Sequence, residues 1–330
     1  MRKSIRAIKS NRESYCEGLP SALIRSIDFN GCGPFYLSSD RVCDVVEWDH
    51  RRILLAPPNC DGQLMRRTEL LVGLFVLGCA NGLISQIRFS VHELGWQKAL
   101  LELFDISAIV IVACVSGVAL VARTATNETR PADLPVAIAF LVLVVLPVSQ
   151  LSWLAVALLS TYIIVFTEID DAGRRGAIIL FAITVPMLWS RLLFHAFGNF
   201  ILNIDARLVA AILGTRQAGS TLEFADHSGD LVILPACSSL ANMSLAFLCW
   251  VAASQTVGHK WRPEDIIWCA FACASVIAIN VSRLSLMGLS QGSYITIHSQ
   301  LGDQITGMLM LATIVGITLL GIRREVLART

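Results

Sequence analysis

Charge is scarce in this 330-residue chain: Asp, Glu, Lys and Arg make up 15% of it, against about 25% in soluble domains. With 55% hydrophobic residues there is too little polar surface to cover a water-soluble globule, and that class is excluded. A net charge of +1 gives no global field to draw in nucleic acid, and no nucleic-acid partner is expected. Close CxxC pairs are missing as well. Cys16, Cys32, Cys43 and Cys60 lack zinc-site spacing, and most of the other cysteines sit in apolar runs as small hydrophobes. Cys269 and Cys273, four residues apart, read as packing residues, so neither a metal nor a cofactor is expected. No signal-peptide pattern, internal repeat or low-complexity tract is visible.

What the chain does have is long apolar runs. A membrane span takes roughly 20 residues at about 1.5 Å each. Runs near 70–88, 102–122, 134–149, 151–167, 176–195, 238–257, 265–287 and 303–322 predict an all-α polytopic membrane protein of about eight spans. The third and fourth are short and meet at "LPVSQLSW", which fits a pair of helices better than one kinked element. Lys and Arg fix the expected orientation: with the N-terminus in the cytoplasm, 20 of the 26 fall in cytoplasmic segments. Both termini are then cytoplasmic, and 196–237 and 288–302 lie outside.

Residues 1–64 are irregular, basic and broken by "GCGP" and "APP", whereas Met65 opens "MRRTELLVGLF", a natural start for a membrane protein. The expected division is an N-terminal extension over 1–64, which an over-long start would explain, and a transmembrane domain over 65–330. Before the sixth span, 196–216 is apolar but interrupted by Asn199, Asn203, Asp205 and Arg207, which predicts a helix lying at the outer interface. The next stretch, "TLEFADHSGDLVILP", predicts a β-hairpin that delivers the chain to Cys237.

Pro235 suits the first turn of a helix, so Cys237 falls at the start of the sixth span. A thiol there feels the positive end of the helix dipole, which lowers its pKa, while nearby backbone N–H groups with Ser238 and Ser239 are candidate oxyanion donors. The bland alternative is a small residue beginning a helix. Arg283, near the outer end of the seventh span with Asn280 one turn earlier, either serves a site or snorkels to the interface. Arg191 and His195 pose the same question. His298, in "QGSYITIHSQLGD", is the histidine of the second outer segment and a candidate base.

"ACSS" opening one span, "NVSR" closing the next and "H" before "LG" opening the last resembles the exosortase/archaeosortase family, membrane-embedded cysteine transpeptidases. The resemblance spans roughly 70–322, with the motifs between 215 and 310. It implies Cys237 as nucleophile, Arg283 as oxyanion stabiliser or thiolate positioner, and His298 as general acid/base. Ser238, Ser239 and Asn280 would support the substrate or oxyanion. It further implies exported substrates bearing a C-terminal sorting signal, made of a recognition motif, a hydrophobic helix and a basic tail, and a bacterial inner-membrane location with the site outside. Family members usually read Cys-Ser-Gly with an arginine soon after, where Ser239 and "LANM" stand here, and Ser299 replaces an acidic residue that often follows the histidine. A competing class is a transporter or lipid-handling protein with a polar cavity around Arg283.

Overall fold

The computed structural model describes residues 66–101, 103–124 and 129–323, and the extension expected over 1–64 lies outside them. The described chain is mainly helical. Helix α1 (Arg67–Leu94) is followed by a short α2 (Trp96–Leu101), then α3 (Ala108–Ala122), α4 (Asp133–Val145) and α5 (Ser149–Phe166). Next come α6 (Asp171–Thr184) and α7 (Ser190–Leu213), a small sheet, and α8 (Ser239–Val257), α9 (Glu264–Met287), α10 (Gln291–Ile297) and α11 (Gln300–Gly321).

Six of these helical segments are long and apolar enough to cross a bilayer: α1, α5, the continuous α6–α7, α8, α9 and α11. The remaining two apolar runs form α3 and α4, of 15 and 13 residues. At about 1.5 Å per residue they fall short of a hydrocarbon core about 30 Å thick. Pro147 separates α4 from α5, because it cannot continue the helix and it forces Leu146 before it into extended backbone.

The helix expected over 196–216 is present, and it continues the fifth apolar helix across a kink at Phe197. Asp171–Leu213 runs 43 residues, through a π-helical turn at Val185–Trp189 and a kink at Phe197. Pro186 explains the turn: it has no N–H to give to the preceding turn, and the looser π geometry absorbs the missing bond. Polar residues such as Asn199 and Asn203 broke the hydropathy pattern, but the chain stays helical past the kink through Leu213.

Helices α3 and α6 approach closely through glycine. A Cβ at Gly176 would lie 2.7 Å from the Gly117 carbonyl oxygen, so the contact depends on the missing side chain. A first apolar cluster, including Phe75, Trp153, Ile179 and Leu248, holds the bundle. A second joins α7 (Leu202, Val209), the sheet (Leu222, Leu231) and α9 (Val281, Leu284).

The sheet has three short antiparallel strands in the order β1 (Gln217–Ala218), β2 (Thr221–Glu223) and β3 (Asp230–Val232). Ala218 faces Thr221, and Leu222 faces Leu231. Leu222 and Leu231 point into the second cluster while Val232 is exposed, so strand alternation seats one face on the helices. Gly219 and Gly229, with φ of 65° and 149°, permit the two turns. The hairpin expected from 217–235 thus has a further two-residue strand on its N-terminal side.

Candidate active site

From β3 the chain runs through Ile233 and Leu234 into a 3-10 turn, Pro235–Cys237, and Ser238 caps α8 by accepting from the Leu240 N–H at 3.3 Å. Cys237 is therefore held between a strand and a helix start, half-buried on the rim of the second apolar cluster. Asn280, fully buried on α9, fixes that turn. Its Nδ2 donates to the Cys237 carbonyl at 2.8 Å and to Ser239 Oγ at 3.1 Å.

Asp205, which interrupted the apolar run before the sheet, proves to be structural here. Buried on α7, it accepts the Ser239 N–H at 3.0 Å and ties the start of α8 to the long helix. A carboxylate at a helix N-terminus is also favoured by the dipole.

These bonds change the expected chemistry of the helix start. The Cys237 N–H donates to the Leu234 carbonyl at 2.9 Å and the Ser238 N–H to Pro235 at 3.2 Å. With Ser239 donating to Asp205 and Leu240 to Ser238, all four amides from 237 to 240 are engaged. They are not waiting for an oxyanion. The free donor belongs to Arg283. One guanidinium nitrogen pairs with the Asp303 carboxylate of α11, while its Nε is buried without a hydrogen-bond partner among the described residues.

The thiol also departs from expectation. Burial pushes Cys237 up from the ordinary cysteine range; the Arg283 guanidinium works against this, the Asp303 carboxylate adds to it, and the Leu234 backbone lowers it slightly. Desolvation and Asp303 together outweigh Arg283 and the Leu234 backbone, so the resting thiol keeps its proton at neutral pH. Attack then requires an acceptor for that proton.

His298 closes α10, its N–H bonded to the Tyr294 carbonyl at 2.8 Å, and its ring stacks on Tyr294 with centroids 5.2 Å apart. No hydrogen bond or ion pair joins its ring to Cys237 or Arg283 among the described residues. The contact is indirect: Tyr294 and Cys237 both pack on the second apolar cluster. The geometry thus brings together Cys237, Ser238, Ser239, Asn280 and Arg283, adds Asp205 and Asp303, and leaves His298 exposed at the edge.

Beside the turn lies a cleft of about 330 Å³ bounded by Ser190, Arg191 and His195 on one wall and Pro235 and Ser238 on the other. It continues into a second space of about 290 Å³ reaching Gln86 and Asp105. Arg191 and His195, four residues apart, share one helix face toward it, and neither has a hydrogen-bond or ion-pair partner among the described residues. Among these residues no group of three or more His, Cys, Asp or Glu side chains is gathered as a metal site would need.

The signals for the two added carboxylates were present but ambiguous. Asp205 stood out as a charge in an apolar run, and Asp303 as an acid in the first turn of the last span, where the dipole alone would account for it. Comparison with known proteins found no protein-family profile, no curated protein and no solved structure that matches this chain.

Proposed function

We propose that the chain is an exosortase-like cysteine endopeptidase or transpeptidase of the bacterial inner membrane, with its site on the extracytoplasmic side and both termini in the cytoplasm. Its substrates are exported proteins whose C-terminal sorting signal ends in a hydrophobic helix and a basic tail. One observation carries this most: a half-buried cysteine on a turn locked by Asn280 lies within the charge of an arginine that still has a buried, unengaged N–H.

The substrate helix lies in the bilayer beside the bundle, and the extended segment before it enters the cleft between Arg191 and Pro235. β3 is an edge strand leading directly to Cys237, which suits strand addition by that segment. Once the segment is seated, His298 leaves its resting stack on Tyr294 and accepts the thiol proton, and Cys237 Sγ forms a bond to the scissile carbonyl carbon. The developing oxyanion meets Arg283 Nε–H. Collapse breaks the C–N bond, the proton passes from His298 to the leaving amine, and a thioester remains on Cys237. An acceptor amine or hydroxyl then forms the new bond, releasing the thiol; water in its place yields a cleaved product.

A thioester is labile to hydroxylamine. The protein isolated from the cells that make it should carry a polypeptide on Cys237 that hydroxylamine releases, depleted in His298→Ala, which lacks the base for acylation, and absent in Cys237→Ala. Absence of any such adduct from all three preparations counts against the proposal.

A further inference from the structure

The Arg283–Asp303 ion pair links α9 to α11, and both charges bear on the Cys237 thiol. It is asymmetric: the arginine side chain is 14% exposed, the aspartate 49%. One end of the guanidinium is therefore fixed by a half-solvated carboxylate while its Nε–H stays buried and unengaged. A donor in that position is costly, since a buried N–H without a partner has given up its hydration for nothing. Some group must hold it there.

We propose that Asp303 is a positioning residue of this site: paired with Arg283, it keeps the guanidinium from snorkelling outward, leaves Nε–H ready for an oxyanion, and balances the charge beside Cys237 while no substrate is present. This rests on the proposed nucleophilic role of Cys237 and adds to it a resting state in which the thiol stays protonated and unreactive. A substrate segment that neutralises Asp303, or parts it from the thiol while Arg283 stays in place, removes the balance, and the thiolate becomes favoured where the carbonyl already lies.

The other charged groups around the thiol do not supply this control. Asp205 of α7 is occupied by the Ser239 amide. Arg191 and His195 stand across the cleft from Pro235 and Ser238. His298, closing α10, is stacked on Tyr294. Among the described residues, the charges that bear on the Cys237 thiol are Arg283 from α9, which lowers it, and Asp303 from α11, which raises it.

Asp303→Asn isolates the charge from the position, because the amide keeps an oxygen for Arg283. The test is the pH dependence of Cys237 modification by a membrane-impermeant alkylating reagent on the full-length protein in membranes, read by peptide-resolved mass spectrometry. Asp303→Asn should lower the midpoint by about one pH unit. Below the midpoint, about tenfold more thiolate, offset by about threefold lower nucleophilicity, should give roughly threefold faster modification. Asp303→Glu should keep the parent midpoint. A midpoint in Asp303→Asn that is unchanged or higher overturns the proposal, as does a Glu variant that shifts like Asn. Should the Asn variant not fold, shown by modification of the buried Cys79, Asp303→Ser takes its place in the same comparison. No substrate is involved, so the titration can fail while the hydroxylamine-labile adduct is found, or succeed while it is absent.

Discussion

At the scale of single residues, the site depends on which polar atoms are already engaged. Asn280→Leu would leave the Cys237 carbonyl and Ser239 hydroxyl without their shared donor inside the protein. The expected loss is about 1–3 kcal/mol, seen as a lower melting temperature in detergent, together with slower Cys237 chemistry. Asn280→Asp would add a further negative charge near the thiol, beside that of Asp303, and is expected to be worse than its size suggests. Arg283→Gln removes the positive charge that stabilises the thiolate, so the alkylation midpoint of Cys237 should rise further above the ordinary range. The sign follows from the equilibrium: losing a cation disfavours the anion, and at pH 7 modification should slow. A midpoint that falls in Arg283→Gln would mean that the guanidinium does not act on this sulfur.

At the scale of elements, the sheet and the helix contacts make separate predictions. Replacing 217–234 by a Gly/Ser linker of equal length removes the edge strand and the Leu222–Leu231 contacts but none of the long helices. Substrate cleavage should be lost while helical circular dichroism is retained. Cleavage at the parent rate would show that the substrate does not use β3. Gly176→Ala sets a methyl against a backbone oxygen rather than a flexible side chain, so α3 and α6 must separate. Overpacking of this kind costs about 1–3 kcal/mol, measurable by thermal unfolding in detergent. Much of this level was legible in hydropathy: the eight apolar runs fall on apolar helices, and the boundaries at Met287 and Val257 agree with those expected. The long α6–α7 helix was not. Isolated polar residues look like an interruption in a hydropathy profile, but backbone hydrogen bonds depend on neither their charge nor their amide groups.

At the scale of the whole described chain, the far end of the bundle is fastened by a buried pair. Arg67 Nε and a second nitrogen reach Asp133 at 2.8 and 3.2 Å, and Tyr162 donates to the same carboxylate at 2.9 Å. Arg67→Ala would strand Asp133 in the interior, and a loss of about 3–5 kcal/mol is expected on thermal unfolding. Orientation has its own check. Single cysteines placed at Ser290 and Lys260 should react from outside and inside intact cells respectively, and the reverse pattern would put the proposed site in the cytoplasm.

Composition alone determined that this chain belongs in a membrane, because so few charges cannot cover so much apolar surface in water. Periodicity and proline placed the helices, and chain order set Cys237, Asn280, Arg283 and His298 near the ends of successive apolar runs. Only tertiary structure decided what those groups are free to do. Asp205 reaches Ser239 across 34 residues and Asp303 reaches Arg283 across 20, and no local pattern encodes such pairings. Whether a thiol is desolvated, and whether an amide is still open, depends on what packs against it from elsewhere in the chain; this is why burial raises Cys237 where its place at a helix start alone suggested a lowered pKa.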